Sequence, residues 1–175
     1  MNIIIDQPVD VGFSFAEEGT SVNTSPVSAQ DVYAFLELFI NRFPEYSKQP
    51  FHVAAESYGG HYGPNIGSVI HKENKAVAAS GTSDLKIINF QSLILANGLT
   101  NPKIQMGAVA DYACDGPYPV YDDPEGAQCQ ALRSRIPTCQ RLMQSCYDFD
   151  SRFTCVPAGL YCNAQLFGPL MREYR

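Results

Sequence analysis

The stretch Ala54-Ala55-Glu56-Ser57-Tyr58-Gly59-Gly60 places a serine between small residues, at the junction of an apolar run and a glycine-led helical pattern. A nucleophile elbow needs that composition. Its tight strand-to-helix turn holds the serine in strained backbone angles and leaves room only for small side chains two positions either way, here Ala55 and Gly59. Such a turn presents the Ser57 hydroxyl at the carboxyl end of a strand. The N-terminus of the helix behind it favours negative charge developing on an attacked carbonyl. In this reading Ser57 is the nucleophile of an acyl transfer and the Tyr58 backbone N–H is one oxyanion donor. Because Ala55 stands where the pattern usually has glycine, the alternative is an ordinary strand-to-helix turn with a capping serine.

Chemistry of a second kind is confined to the other end. Residues 1–113 contain no cysteine and residues 114–175 contain all six. The intervening stretches of 14, 9, 6, 8 and 6 residues include no Cys-x-x-Cys, and no histidine follows His71. Zinc is therefore poorly served, no metal or cofactor is expected, and disulfides are. Cys139/Cys146 and Cys155/Cys162 are each i, i+7, two turns apart on one helical face. Two such faces in an antiparallel hairpin align Cys146 with Cys155 and Cys139 with Cys162. Cys114 is left with Cys129, which makes one of fifteen connectivities. Disulfides imply an oxidising compartment.

These residues need a scaffold, and 175 residues with 45% hydrophobic and 17% charged content have ordinary globular composition. A net charge of −6 opposes binding to nucleic acid or anionic lipid. No apolar run reaches the roughly 18 residues of a membrane span, and the first residues show neither a basic region nor a long apolar one, so no signal peptide is expected.

Residues 2–6 read as a buried strand stopped at Asp6-Gln7-Pro8. Residues 19–26 read as a loop, and Asn23-Thr24-Ser25 within it is a glycosylation sequon at Asn23. Ser28 and Asp31 resemble a capping box, after which Val32, Phe35, Leu36, Phe39 and Phe43 recur at helical spacing until Pro44. Residues 51–55 form a second strand and residues 59–70 a helix. Residues 72–85 form a polar loop that contains Ser80-Gly81-Thr82-Ser83, and residues 87–96 a third strand closed by Asn97-Gly98. Strand, helix, strand, helix, strand implies a parallel sheet with right-handed crossovers, so the fold class is α/β. Beyond Pro102 come Pro/Gly/Asp-rich turns over residues 115–126, then helical stretches at 128–135 and 140–147. The expected organisation is an α/β core over residues 1–103 and a helical, disulfide-pinned insertion over 104–175.

Longer motifs carry a resemblance. They are Asp6-Gln7-Pro8-Val9-Asp10-Val11-Gly12-Phe13-Ser14, Asp31-Val32-Tyr33-Ala34-Phe35-Leu36-Glu37-Leu38-Phe39 and Phe43-Pro44-Glu45-Tyr46. The strongest are Phe51-His52-Val53-Ala54-Ala55-Glu56-Ser57-Tyr58-Gly59-Gly60-His61-Tyr62 and Asn97-Gly98-Leu99-Thr100-Asn101-Pro102. Ser145-Cys146-Tyr147-Asp148 and Cys155-Val156-Pro157-Ala158-Gly159-Leu160-Tyr161-Cys162-Asn163 complete the set. In these the chain resembles the serine carboxypeptidases, especially the yeast vacuolar carboxypeptidase Y type.

The resemblance implies a partial α/β-hydrolase parallel sheet with a helical, disulfide-rich cap insertion. It also implies removal of C-terminal amino acids from peptides or proteins through an acyl-enzyme on Ser57, in a vacuolar or secreted protein. Tyr58 then supplies its N–H. Glu56 matches a glutamate that shares a proton with a second acid and helps bind the substrate's terminal carboxylate. Two adjacent carboxyls cannot both ionise cheaply, so such a pair favours acidic pH. Leu99 matches a position lining the pocket for the residue before the scissile bond.

One departure stands out. Triads on this scaffold run Ser, then Asp, then His, yet only His61 and His71 follow Ser57, with no acidic residue between Ser57 and His71. By resemblance the Asp and His are expected beyond Arg175, and a Gly-Gly-Pro-Gly type motif before Met1. The isolated chain is expected to have little or no activity, with His52, His61 and His71 as surface or packing residues. The competing classes are a non-catalytic product or binding module of the family, and an esterase or acyltransferase on the same scaffold.

Overall fold

The computed structural model describes residues 1–17, 21–81 and 84–173. Gly19 and Thr20 of the expected first loop, and Thr82 and Ser83 of the second, lie outside the described residues. The chain divides into two units, Met1–Thr100 and Asn101–Arg175.

In the first unit, α1 (Ser25–Arg42) is followed by a 3-10 turn, then β1 (Phe51–Glu56), α2 (Gly59–Ser80) and β2 (Phe90–Ala96). β1 and β2 pair in parallel, Val53 opposite Leu93, Ala55 opposite Leu95 and Glu56 opposite Ala96, with α2 as the crossover between them. β1 alternates half-buried Phe51, Val53 and Ala55 with exposed His52, Ala54 and Glu56, the period-two pattern of a strand covered on one face. α2 lies on that face because its glycines recur every fourth residue. A Cβ at Gly63 would stand 2.9 Å from the Leu93 side chain and 3.0 Å from Ala55, and one at Gly67 would stand 3.1 Å from the Phe90 ring. The core then forms from Ala29, Val32, Tyr33, Leu36 and Ile40 of α1, Ile66 and Ile70 of α2, and Ile88.

Four sequence expectations are corrected here. Residues 2–6 form no strand: no ladder partner reaches them among the described residues, and Ile4 is exposed. The segment folds back instead, the Asp6 carboxylate accepting the Phe13 N–H at 2.9 Å and the Asp6 carbonyl accepting the Ser14 hydroxyl at 2.6 Å. α1 begins three residues before Ser28, with Pro26 in its first turn; Ser28 lies inside the helix, buried, and donates to the Gln7 side chain. The expected polar loop at 72–85 is in large part helix. Lys72-Glu73-Asn74-Lys75-Ala76-Val77-Ala78-Ala79 is rich in good helix formers, and α2 runs on to Ser80, where Gly81 ends it at φ +64°. The third strand starts at Phe90, because Asn74 takes both backbone groups of Ile88, accepting its N–H at 2.9 Å and donating to its carbonyl at 2.8 Å.

The second unit is helical: α3 (Pro102–Gly107), α4 (Val109–Asp115), α5 (Ala127–Phe149), α6 (Arg152–Cys162), a π-helical turn (Asn163–Phe167) and α7 (Gly168–Glu173). Pro102 opens α3, with the Asn101 side chain accepting the Ile104 N–H. The two expected helical stretches at 128–135 and 140–147 are one helix that continues through Pro137. At Asp150, φ +38°, the chain reverses, and Ser151 with Thr154 forms a capping box that starts α6. Disulfides Cys139–Cys162 and Cys146–Cys155 join α5 to α6, and Cys114–Cys129 joins α4 to α5. These are the pairs that two facing helices with cysteines at i, i+7 select.

Candidate active site

Ser57 falls between the last residue of β1 and the first turn of α2, at φ +57°. A residue with a side chain holds that left-handed conformation only where its surroundings over-determine it. Three backbone hydrogen bonds do so. The Ser57 N–H donates to the Ala96 carbonyl at 3.1 Å, and the Ser57 carbonyl accepts the Leu99 N–H at 2.8 Å and the Gly60 N–H at 3.0 Å. The end of β2 and the turn that follows it therefore grip the serine's backbone on both sides of its Cα.

The grip is possible only because the neighbours are small. A Cβ on Gly59 would sit 2.8 Å from the Ala55 Cβ, and one on Gly60 would sit 2.6 Å from the Leu99 backbone. Gly98 meets the Gly60 Cα from the other side, at 3.2 Å for an added Cβ, with Asn97 at φ +46° turning the chain to bring it there. Ala55 in place of glycine is accommodated, since its methyl packs against the glycine faces of α2.

The structure brings together four of the residues singled out from sequence: Glu56, Ser57, Tyr58 and Leu99. Ser57 is exposed, Glu56 is exposed at the end of β1, and Leu99 is half-buried. Tyr58 is 50% exposed, so the elbow opens to solvent. No acceptor among the described residues takes the Tyr58 N–H, which stands at the N-terminus of a 22-residue helix, where unpaired N–H groups and the helix dipole attract negative charge. An exposed hydroxyl beside such donors suits attack on a carbonyl and stabilisation of the oxyanion that results. Asn23 is exposed immediately ahead of α1.

The histidines take distinct places. His52 pairs with the Ser92 hydroxyl at 2.7 Å across the strands, and His71 is exposed on α2. His61 uses Nδ1 to bond the Leu99 carbonyl and stacks on the Tyr58 ring, with centroids 4.6 Å apart and planes 18° apart. Tyr62 meets the same Tyr58 ring edge-on at 5.5 Å. The specific contact of His61, and the seating of Asn97-Gly98-Leu99 on the first turn of α2, escaped sequence reasoning. The available signal was the pairing of two small-residue sites, Gly59-Gly60 and Asn97-Gly98, each closing a parallel strand.

Comparison with known proteins meets this geometry. The sequence profile of the serine carboxypeptidases matches residues 2–170. The chain belongs to the serine carboxypeptidase family. Carboxypeptidase Y homolog A of Talaromyces stipitatus is 44% identical over 171 residues, which is 97% of this chain and 28% of that protein. The carboxypeptidase Y homolog A of Aspergillus clavatus is 42% identical over 171 residues, 97% of this chain and 29% of that one. The chain thus spans under a third of the length of the curated relatives it matches. Among solved structures, Kex1(delta)p, a prohormone-processing carboxypeptidase from Saccharomyces cerevisiae, superposes over 97% of this chain and 35% of its own, with a TM-score of 0.70 at 20% identity. That likeness is one of fold: mixed α/β with two parallel strands, mostly helical, with three disulfides. The family's name points to peptides as the substrates of serine carboxypeptidases.

Proposed function

We propose that this chain carries the nucleophile elbow of a serine carboxypeptidase that cleaves the last peptide bond of peptides or proteins. The observation supporting this is the left-handed, three-bond-restrained Ser57 with its side chain exposed at the mouth of α2. In the reaction, the Ser57 oxygen attacks the last peptide carbonyl and its proton passes to a base. The C-terminal amino acid leaves with that proton and water then cleaves the acyl-serine. The Tyr58 N–H is the oxyanion donor, Glu56 helps hold the terminal carboxylate, and Leu99 lines the pocket of the preceding residue. Residues 1–103 form the hydrolase core segment and 104–175 its cap. An oxidising compartment, vacuolar or secretory, suits three disulfides, and Asn23 is a glycan acceptor there.

No histidine follows any acidic residue that comes after Ser57, so these 175 residues alone should not turn over a substrate. The test is a chimera in which this chain replaces the matching segment of the Talaromyces stipitatus relative. It should release the C-terminal residue of an N-blocked dipeptide, and Ser57→Ala should cut kcat by about a thousandfold or more. A folded chimera that is inactive, or one indifferent to Ser57→Ala, defeats the reading. Ester hydrolysis without release of an amino acid would move it to the esterase class. Dipeptide turnover by the 175-residue chain alone, abolished by Ser57→Ala, would contradict the claim that this chain lacks the full machinery.

A further inference from the structure

We infer that His61 is the positioning residue of the elbow, the side chain that keeps Ser57 in its strained conformation by clamping the turn after β2. The inference rests on Ser57 being the nucleophile, as proposed above. Of the bonds that fix Ser57, the one reaching furthest along the chain comes from the Leu99 N–H to the Ser57 carbonyl, at 2.8 Å. Leu99 belongs to a turn, so its N–H stays in place only if something holds the rest of the residue. His61 does this at the adjacent group, its Nδ1 meeting the Leu99 carbonyl. A carbonyl only accepts, so Nδ1 carries the proton.

The residue itself is held twice, once at its ring and once at its main chain. Its ring lies flat on Tyr58, and its own backbone N–H donates to the Tyr58 carbonyl at 2.9 Å. Tyr58 is the residue whose N–H faces the developing oxyanion in the proposed reaction. One side chain thus couples the oxyanion donor, the nucleophile's carbonyl and the turn. Close approach completes the fit: with no Cβ on Gly60, the Leu99 backbone lies against the helix within reach of the ring one residue on. A histidine merely filling space would need neither the carbonyl partner nor the stacked face.

Two variants separate these parts. His61→Phe keeps a ring on Tyr58 and removes the donor; His61→Asn keeps an N–H donor near the Nδ1 position and removes the ring. In the 175-residue chain, long-range ¹H–¹⁵N spectra should show His61 protonated at Nδ1. The Leu99 amide should exchange at least tenfold faster in His61→Phe while amides in the middle of β1 and α2 are unchanged, and His61→Asn should restore its protection. In the chimera, His61→Phe should lower kcat tenfold or more with KM within twofold, and His61→Asn should recover most of that loss. Protonation at Nε2 alone, unchanged exchange at Leu99, a loss confined to KM, or failure of His61→Asn to recover would each overturn the assignment. An active chimera indifferent to His61→Phe sinks this inference alone, whereas a chimera indifferent to Ser57→Ala sinks the reading beneath it.

Discussion

Residues 1–100 contain no cysteine and bring helix onto sheet through glycines, whereas residues 101–175 tie three helices together with covalent bonds. The difference does not come from a missing core, since the second unit also buries Met106, Val109, Ala110, Leu132, Met143 and Leu166; it lies in how single helices are packed. α1 turns Ala29, Val32, Tyr33, Leu36 and Ile40 into one core with Ile66, Ile70 and Ile88, so ordinary packing suffices. α5 is 23 residues long yet buries only Cys129, Leu132, Cys139 and Met143, and two of those four are half-cystines. Covalent links along that helix add to the core that its few buried positions share with α3, α4 and α6. Where a backbone must be held to a particular shape, as at Ser57, the chain uses small residues and hydrogen bonds. Where helices need only be kept together, it uses disulfides.

The largest expected effect breaks this contrast outright. Full reduction should unfold residues 101–175 and leave the amide protection of β1 and α2 in place. Each link contributes on the order of 3 kcal/mol by limiting the unfolded chain. Cys139→Ala with Cys162→Ala alone should therefore cost about 3 kcal/mol, read as a lowered Tm of the second unit only, since that bond closes a 23-residue separation. If reduction unfolds both units together, they do not differ in the way described.

Much of the scaffold was legible in sequence. The β1 strand, the elbow and the helical cysteine spacing are local patterns, and each depends on residues a few positions apart. What escaped was non-local, apart from the helix propensity of residues 72–79. The run at 2–6 has strand composition but no strand partner among the described residues, and Ile4 and Phe13 remain exposed. Lys72 to Ala79 looks like a loop because its polar surface hides strong helix propensity, and because the Asn74 clasp on Ile88 joins residues 14 apart. His61 and Leu99 are 38 residues apart, beyond any spacing argument. Phe35 and Phe43, which share the apolar helical spacing with Val32, Leu36 and Phe39, are partly exposed and flank Phe39 with ring centroids at 6.1 and 5.0 Å, while Tyr33 and Ile40 join the core. A periodicity fixes that a helix has an apolar side, but the neighbour decides its angle.

A smaller effect sharpens the first unit's side of the contrast. Gly60→Ala forces a methyl to within 2.6 Å of the Leu99 backbone, so it should cost about 2 kcal/mol and speed exchange of the Leu99 amide. Gly81→Ala, by comparison, meets open space and should cost only about 1 kcal/mol from its positive φ. Equal losses at the two sites would deny any special closeness at the elbow.

The smallest expected effect has the opposite sign. Among the described residues the Tyr33 hydroxyl and one Glu37 oxygen are buried beside each other's side chains without a well-formed hydrogen bond, while the other Glu37 oxygen accepts the Lys86 N–H at 2.9 Å. Tyr33→Phe removes an unsatisfied group and should stabilise the first unit by about 1 kcal/mol. Burial, and then the Glu37 and Glu73 carboxylates, hold the Tyr33 phenol above its ordinary value. With the folded pKa raised, this contribution to stability is whole below the unfolded value near pH 10 and is lost as pH rises above it. Denaturant titrations from pH 8 upward should show that loss in the wild type and a shallower one in Tyr33→Phe; identical slopes would contradict the assignment.

The central claim is that Ser57 is the reactive group of this chain. The direct measurement is peptide mapping after treatment of the active chimera with a fluorophosphonate, in which the serine oxygen bonds to phosphorus and fluoride leaves. The account predicts one adduct, on the peptide containing Ser57, formed in step with loss of dipeptide hydrolysis. An adduct on any other residue, or full inactivation with Ser57 unmodified, would contradict it.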